Sequence, residues 1–579
     1  MENSDKEYKN IFKSSKYLVP AITMFICLSI ATGIVVITKF LMGSKKEDIS
    51  IATNVAEEAF YNKKYDASIK EYEELQKEDQ WPIWNVKIAE IYSTEGEFVK
   101  SNEILQKSYE TRNKILDTKD QAKETVEDKD KELINDIVLT YLMNGENKKS
   151  IEYGDMFLKD YPNDKNLLKT MFTVYIVNGQ KDKAKEVLES YQVDEDDADD
   201  LAVLARMNML IDNFDKGLAL LKDAWYKDKN EIKILDVITQ ISQNNKSDIL
   251  NKISTLQKKN PNELVYKIWM AKIYSLNKDT SKNANKLISE LENKDVGDIS
   301  LNLIKVNVYK NTGEMEKAEE VLNSIASNNS DSFIGYYAAA YEELAEGKYK
   351  DAFINAQRSV ICNRNYIENY TSLIPEIMIK QNKANEIEPY FMTALYNEPF
   401  NNSIMIKIAE YYKNIVKDST KALYYYNLAS KINPSDAEIY YNMASIKINN
   451  QRVDEAMELL KKSILLNGKV AKYHRALGSL YLSEGKNDYA IKEIRSAYDI
   501  DKNDVLTLNN AACYYIIAEG DLDRGKVNLN ASYEGINDKI SEDDKTKITE
   551  NYNRVKALSG EDNKKSTSKL TLSDLKLFY

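Results

Sequence analysis

The sequence is poor in residues that break helices and in residues that build reactive or metal sites. Its 579 residues include only 8 Pro, 18 Gly, 3 Cys and a single His. So few breakers suit long helices, whereas a strand-rich chain of this length needs more turns. With one imidazole and three cysteines far apart in sequence, neither a disulfide framework nor a zinc site is indicated. We therefore predict an all-α protein without a metal ion or other cofactor.

Catalytic signatures are also missing. The phosphate-binding G-x-x-x-x-G-K-[ST], the dinucleotide-binding G-x-G-x-x-G and the nucleophile elbow G-x-S-x-G do not occur. A Ser-His-Asp or Cys-His arrangement would have to use His474, which occupies a position expected to pack between helices. We therefore expect no enzymatic activity and no catalytic residues.

The charge balance argues against a nucleic-acid partner. The chain carries 80 Lys and Arg against 92 Asp and Glu, a formal net charge of -12. A phosphate backbone is bound by clustered cationic side chains that release counterions. Proteins or peptides are therefore the predicted partners.

One long apolar run does occur, near the start of the sequence. Residues 17–38 contain no charged side chain, and 22 residues make roughly 33 Å of helix, which matches the hydrocarbon core of a bilayer. The run predicts a single transmembrane helix over residues 17–38 after a short cytoplasmic leader, residues 1–16. The alternatives are a cleaved signal peptide, with Ser29 and Ala31 near the cleavage site, and a buried helix of a soluble domain. Against the signal peptide, apolar residues continue to Met42.

The orientation of such an anchor rests on the flanking lysines. The leader has one Lys more than the segment that follows the run, which favours a cytoplasmic N-terminus and a repeat domain outside the cytoplasmic membrane. A composition rich in Lys, Asn, Ile and Tyr, typical of low-GC bacteria, also favours a cell-envelope protein. The opposite orientation, with the domain facing the cytoplasm, stays open.

The rest of the chain repeats itself. Small or apolar residues recur at a spacing of 32 to 35 residues, apart from one gap of 49. They are Ser68, Ser101, Ser150, Ala184, Gly217, Ile249, Ala284, Ala318, Ala352, Ile387, Ala422, Ala456, Ala490 and Gly525. Large apolar residues follow most of them four positions later. Gly stands five positions earlier in seven units, and Tyr nine or ten positions earlier in many.

Each of these columns has a mechanical role in a helix–turn–helix unit. Gly suits the left-handed cap where a first helix ends, and Pro twelve residues after the small position follows the end of the second helix. The small residue lets two helices approach closely, while the large residue fills the same face one turn later.

This pattern resembles the tetratricopeptide repeat (TPR), most closely at Leu477-Gly478-x-x-Tyr481, Gly485, Ala490 and Ile494. The resemblance implies a right-handed superhelical solenoid, here preceded by the transmembrane helix. About fourteen units span residues 50–533, with a charged insertion near 109–131. Pro375 should kink the first helix of the unit around Ile387.

Beyond the repeats we predict a capping helix over residues 534–558 and a flexible tail over residues 559–579. For the closing residues 569–579 the alternative is docking, either into the groove of the same chain or onto a partner. The acidic run 194–200 is expected to be a solvated connector whose last Asp caps the next helix. A loose calcium site is the alternative there.

The resemblance also implies where partners bind, because members of this family hold peptides or helices in a concave groove lined by first helices. Transferred by register, the groove residues are Tyr337, Tyr341, Leu344, Tyr441, Ser445, Ile448, Arg475, Ser479, Leu482, Asn510, Tyr514 and Ile517. These side chains are aromatic, aliphatic or neutral with few exceptions. We therefore predict that the groove binds an apolar segment of a partner with weak salt dependence.

The predicted function is accordingly a membrane-anchored scaffold for protein–protein interactions, in cell-envelope assembly or secretion. A membrane-tethered adaptor or regulator facing the cytoplasm is the alternative.

Overall fold

The computed structural model describes residues 49–118, 127–243, 246–557 and 570–579. Within these residues all regular structure is helical, so the prediction of an all-α repeat solenoid is confirmed. In the described ranges, twenty-eight α-helices form fourteen helix–turn–helix units, and one further α-helix follows them. The handedness of the superhelix stays a prediction.

The units are numbered along the chain, so that unit 1 is α1 with α2 and unit 14 is α27 with α28. Units 1 to 5 contain α1 (Val55–Tyr61), α2 (Tyr65–Glu78), α3 (Ile83–Glu95), α4 (Phe98–Thr118), α5 (Glu127–Met143), α6 (Asn147–Asp160), α7 (Lys165–Val177), α8 (Lys181–Ser190), α9 (Ala198–Leu210) and α10 (Phe214–Lys227). Units 6 to 10 contain α11 (Ile232–Ser242), α12 (Lys246–Lys259), α13 (Val265–Ser275), α14 (Ser281–Leu291), α15 (Asp298–Thr312), α16 (Met315–Asn328), α17 (Phe333–Ala345), α18 (Tyr349–Cys362), α19 (Ile374–Lys380) and α20 (Glu388–Asn397).

Units 11 to 14 and the helix after them form the last part of the array. Their helices are α21 (Asn402–Tyr411), α22 (Ser419–Ile432), α23 (Ala437–Asn449), α24 (Val453–Leu466), α25 (Ala471–Ser483), α26 (Asn487–Ile500), α27 (Val505–Tyr514), α28 (Leu522–Glu534) and α29 (Glu542–Ala557). The apolar residues Ile548 and Val555 of α29 are buried. The array therefore does not end on an exposed apolar face.

The turn inside most units contains a residue in the left-handed region. The predicted glycine column occupies it with φ between 69° and 89°, at Gly96, Gly145, Gly179, Gly313, Gly347, Gly485 and Gly520. Five other units place a different residue at the same position with φ between 54° and 66°, namely Lys63, Asp212, Asn382, Lys417 and Gln451. The packing of the two helices therefore imposes this conformation even where no glycine is present to favour it.

The small and large columns are buried as predicted. Every residue of the small column is buried, and so is every residue four positions later. In unit 13 a Cβ atom on Gly478 would lie 2.9 Å from Ile494 Cγ1 and 3.2 Å from the Ala490 carbonyl oxygen. Such contacts show why α25 and α26 tolerate only small residues where they cross.

Two predicted irregularities lie at the expected places. The first helix of unit 10 is divided into a π-helical turn, Asn369–Leu373, and α19. Pro375 closely follows this turn within a continuous helical stretch, residues 367–380, and a proline inside a helix cannot donate the usual backbone hydrogen bond. The π-helical turn lies where that bond is missing. The charged insertion lengthens α4 to 21 residues, and residues 119–126 lie outside the described residues.

The array also closes on itself, which the sequence did not predict. The Tyr61 and Tyr390 rings lie 5.0 Å apart, and the Tyr61 hydroxyl is 3.2 Å from Thr393 Oγ1. Further along, Lys421 Nζ donates to the Thr94 carbonyl (2.7 Å). Units 10 and 11 therefore pack against units 1 and 2.

This contact continues along the inner side of the early units. The Tyr424 hydroxyl donates to the Met143 carbonyl (2.6 Å), and Thr140 Oγ1 lies 2.9 Å from the Tyr396 hydroxyl. Two buried cationic side chains extend the contact, since Arg206 donates to Asn402 and Lys233 pairs with Glu398. The first helices α5, α9 and α11 thus face the chain's own later units.

Glu388 lies at the centre of this closure. Its carboxylate is almost fully buried, with a 4% exposed side chain, and pairs with Lys63 Nζ at 2.8 Å. It also accepts hydrogen bonds from the hydroxyls of Tyr65 (2.9 Å) and Tyr412. A buried charge is stable only when paired in this way, so Glu388 couples unit 1 to units 10 and 11.

The predicted membrane location is corrected. In the part of the chain that the structure describes, no helix is long and apolar enough to cross a membrane. The segment on which that prediction rested, residues 17–38, lies outside the described residues. Regular 3.6-residue amphipathic packing, with charged residues on the outer faces, explains why the described helices lack such runs.

Candidate peptide-binding groove

The last ten residues of the sequence lie in a groove formed by α25, α27 and α29. We call residues 570–579 the tail segment. They were predicted as part of a flexible tail, with docking as the alternative, and the structure shows them docked within the same chain. A short 3-10 turn, Leu572–Asp574, precedes an extended stretch that ends at Tyr579.

Two asparagine side chains hold the main chain of this extended stretch. Asn510 of α27 donates from Nδ2 to the Phe578 carbonyl (2.6 Å) and accepts from the Phe578 N–H (3.0 Å). Asn551 of α29 does the same to Lys576, with both hydrogen bonds at 2.8 Å. We call Asn510 and Asn551 the amide clamp.

The geometry resembles the pairing of antiparallel strands. A side-chain amide has one carbonyl and one N–H on the same plane, as a peptide unit does. In an extended chain the polar groups of alternate residues point to the same edge, so residues 576 and 578 can both face the clamp. The clamp therefore recognises an extended backbone and not particular side chains.

Neighbouring polar residues support the clamp. Asn509 Nδ2 donates to the Lys576 carbonyl (2.9 Å), and Asn509 Oδ1 accepts from Asn551 (2.8 Å). Ser479 of α25 donates to the Phe578 carbonyl (2.8 Å). These side chains are buried, and buried amides and hydroxyls require partners, which the tail segment supplies.

Side-chain pockets add selectivity to this main-chain recognition. Leu575 is buried against residues of α25 to α28, and Leu570, Leu572 and Leu577 pack partly buried on the same cluster. Phe578 points elsewhere and is buried against Val505 and Ile548, where α27 and α29 meet. Lys576 and Tyr579 remain exposed.

The groove floor is neutral where it meets the peptide backbone. Its cationic residue Arg475 is paired with Asp504, which also caps α27 through the Leu506 N–H. Outside the floor, Arg554 donates to the Asp574 carbonyl (2.6 Å) from an exposed position. Neutral amides therefore make most of the polar contacts.

A cysteine lies beneath the tail segment. Cys513 is fully buried, and its Sγ is 3.8 Å from the Lys576 carbonyl oxygen. Burial raises the pKa of the Cys513 thiol to about 12. The thiol is therefore protonated and shielded while the tail segment is in place.

Six of the predicted groove residues lie close to the tail segment or in the walls that hold it. Ser479 and Asn510 contact its main chain directly, and the Tyr441 hydroxyl lies 3.4 Å from the Tyr579 carbonyl oxygen. Tyr514 is buried with Leu482 in the wall that receives Leu575, with Ile517 partly buried there. Arg475 forms the ion pair with Asp504.

The remaining predicted residues lie elsewhere. Tyr337 and Tyr341 form a T-shaped pair with ring centroids 5.0 Å apart. They line a cavity of about 260 Å³ among units 6 to 11, together with Asp236, Lys272 and Glu368. Leu344 is buried, and Ser445 and Ile448 are half-buried. The predicted groove residues therefore do not form one continuous site.

The acidic run and the single histidine also differ from expectation. Asp197, and not the last Asp of the run, caps α9, while Asp200 is buried and accepts from the Tyr191 hydroxyl (2.5 Å). His474 is not a plain packing residue, because its Nδ1 lies 2.6 Å from a Glu493 carboxylate oxygen and its Nε2 lies 3.1 Å from the Gly468 carbonyl oxygen.

Sequence reasoning missed Asn509 and Asn551. Asn509 is one residue before a predicted groove position, and Asn551 belongs to the capping helix, which was assigned only a covering role. A signal was present, since both are amides at positions that the helical period places on a buried face. Only a search for polar residues on apolar faces would have found them.

Comparisons with known proteins support the fold alone. No family model matches the sequence. The chain is 31% identical over 100 residues to the Protein STIP1 homolog of Dictyostelium discoideum, which is 16% of this chain and 18% of that protein. The chain thus spans about a fifth of the length of the curated relative it matches.

Solved structures of similar architecture share little sequence with this chain. The APC/C hetero-tetramer Cut9-Hcn1 aligns over 90% of this chain and 98% of its own at 13% identity, with a TM-score of 0.37. Yeast Tom70 aligns over 83% and 94% at 15% identity, with a TM-score of 0.35. YrrB, described as a TPR protein with an unusual peptide-binding site, aligns over 33% and 97% at 17% identity, with a TM-score of 0.27. The repeated helix–turn–helix units described above make the fold a TPR-like helical repeat.

Proposed function

We propose that this protein is a protein-interaction scaffold whose groove in units 13 and 14 binds an extended peptide by its main chain. One observation carries the proposal: the amide clamp pairs with both the N–H and the carbonyl of two alternate residues of a docked segment. Four such bonds, made by buried side chains, form a site for extended peptides.

The ligand class follows from the pockets. The main-chain contacts accept many sequences, while the pockets of Leu575 and Phe578 favour an aliphatic residue followed, three positions later, by an aromatic one. Because neutral amides make the clamp, binding should depend weakly on salt, in contrast to recognition by surface ion pairs.

The test is a binding measurement on a chain that lacks the tail segment. A fluorescent peptide with the sequence of residues 570–579 is titrated with the shortened chain and followed by anisotropy. We expect saturable binding that changes less than about threefold between low and moderate salt.

The matched variants separate the clamp from general surface effects. Asn510→Ala with Asn551→Ala should weaken binding at least about tenfold, since four hydrogen bonds of roughly 1 kcal/mol each are removed. Asn530→Ala, at an exposed position of α28, is the control and should leave the affinity unchanged. Equal affinity of the clamp variant and the control would contradict the proposal.

We also expect that this scaffold has no enzymatic activity.

A further inference from the structure

We infer that the tail segment is a tethered competitor, so that a partner enters the groove only by displacing residues 570–579. This inference rests on the proposed function, because it concerns the regulation of the same groove. The groove of the resting chain is closed to partners, and displacement of the tail segment is the step that opens this groove.

The tail segment already occupies the hydrogen-bonding groups and the apolar pocket of the groove. Asn509, Asn510, Asn551 and Ser479 all bond to the tail main chain, and Phe578 fills the pocket between α27 and α29. A second extended segment cannot make these bonds while the first does. Occupancy by the tail and by a partner is therefore mutually exclusive.

The tail segment is covalently tethered to the array that it contacts. The segment is joined to α29 by residues 558–569, a connection of 12 residues that holds the tail near the groove. A short linker gives an effective concentration on the order of millimolar, so even a weakly bound tail occupies the groove most of the time. The apparent affinity of a free partner is then its intrinsic affinity multiplied by the fraction of grooves that are open.

The tail segment belongs to no α-helix of the array, so its contacts can be released without breaking one. The clamp bonds are few and run from side chains to the tail main chain, and α29 also contacts α28 apart from the tail, through the stacked Tyr533 and Tyr552 rings, 4.3 Å apart. Lys576 and Tyr579 are exposed, so the segment is not enclosed. The tail is therefore positioned to leave and to return.

The partner that fits is an extended segment of another protein with the spacing of the tail itself. It presents two alternate residues to the clamp, an aliphatic side chain to the Leu575 pocket and an aromatic one to the Phe578 pocket. Such a segment gains the same contacts as the tail and needs a higher concentration or a better pocket fit to compete.

The experiment compares the full chain with a full-length release variant, Leu575→Asp with Phe578→Asp. The fluorescent peptide of residues 570–579 should bind the release variant at least about tenfold more tightly than it binds the wild type. Ser573→Ala, exposed in the tail and outside the contacts of the clamp and the pockets, is the matched control and should bind as the wild type does.

The alkylation rate of Cys513 reports release of the tail segment without an added ligand. Its alkylation, followed by mass spectrometry of the peptide that contains it, should be faster in the release variant than in the wild type, and added peptide should slow it again. Cys362 is exposed and serves as the internal control whose rate stays constant.

Hydrogen exchange on the wild type keeps the test independent of whether the release variant folds. The N–H groups of Lys576 and Phe578 should be protected, and saturating peptide carrying Lys576→Arg, which differs in mass, should remove that protection. Retained protection with the groove saturated, or equal affinity of wild type and release variant, would overturn the inference and leave the proposed function standing. Peptide binding to neither form would overturn the proposed function and the inference together.

Discussion

Single residues in this protein carry conformational and electrostatic roles that differ from unit to unit. The left-handed turn position is the clearest example, since five units place Lys63, Asp212, Asn382, Lys417 or Gln451 where seven others have glycine. A side chain with a Cβ atom in that region costs roughly 1–2 kcal/mol relative to the right-handed region. These units therefore retain strain that glycine would relieve.

Gln451→Gly should accordingly raise the free energy of unfolding by about 0.5–1 kcal/mol. Gln451 is exposed and has a φ of 60°, so the change removes strain without removing a packed side chain. Urea unfolding followed by circular dichroism measures the effect. The control is Lys492→Gly, at an exposed position inside α26, which should lower stability by about 1 kcal/mol. The same sign for both changes would contradict the argument.

His474 should make stability depend on pH. Both ring nitrogens face acceptors, Glu493 and the Gly468 carbonyl, and only the protonated ring donates to both. The hydrogen bond to Glu493 is the main cause that raises the pKa of His474 above its ordinary value of 6.5. The stabilisation is therefore complete below about pH 6.5 and is lost as pH rises through the raised folded-state pKa.

The measurement compares wild type with His474→Gln. The wild type should be the more stable protein at about pH 6, and its advantage should shrink in alkaline buffer as the imidazolium loses its proton. Unfolding curves at several pH values give the difference. An advantage that grows with pH would show that the ring is held in its neutral form.

At the scale of elements, each unit depends on the close approach of its two helices. In unit 13, α25 and α26 cross at Gly478 and Ala490, and Ala490 is fully buried. No space exists there for a larger side chain. The exposed face of the same helix has no such constraint.

Ala490→Trp should therefore destabilise the array by roughly 1–3 kcal/mol or more, because the ring must separate the two helices. Lys492→Ala, two residues along α26 and exposed, should change stability by less than about 0.5 kcal/mol. Thermal unfolding of both variants beside the wild type tests the register. Equal effects would mean that Ala490 does not face α25.

At the scale of the whole array, the contact between its early and later units controls which surfaces are available. Units 10 and 11 cover inner surfaces of the early units, through pairs such as Tyr424 with Met143 and Lys421 with Thr94. The groove of units 13 and 14 lies beyond this contact in the chain. Closure of the array and occupation of the groove by the tail thus involve different units.

Glu388→Ala should loosen this closure. It leaves Lys63, Tyr65 and Tyr412 without their carboxylate, and removing one partner of a buried ion pair costs about 3–5 kcal/mol. We expect faster hydrogen exchange in α1, α2 and α20 and lower resistance to urea. Glu386→Ala, which removes a partly exposed ion pair with Lys383, should change neither measurement appreciably. Unchanged exchange in Glu388→Ala would show that the closure does not depend on this residue.

The sequence alone determined the all-α repeat and the register of its helices. The reason is that these properties are local: a period of 32 to 35 residues, a small residue at most crossings and a glycine at the turn of seven units reflect contacts between neighbouring helices. Burial of Ala184, Ala352 and Ala490 follows from that period without knowledge of the rest of the chain. The predicted groove residues were placed by the same register, and they include Ser479 and Asn510.

Only the tertiary structure decided which residues meet across long distances in sequence. The approach of Glu388 to Lys63, of Tyr337 to the cavity of units 6 to 11, and of Asn551 to Lys576 depends on how small rotations add up over many units. The residue pattern of a single repeat does not determine this accumulated rotation. The location of the binding groove therefore became visible only when the tail segment was seen paired with Asn510 and Asn551, since a main-chain contact leaves no trace in the side chains of the ligand.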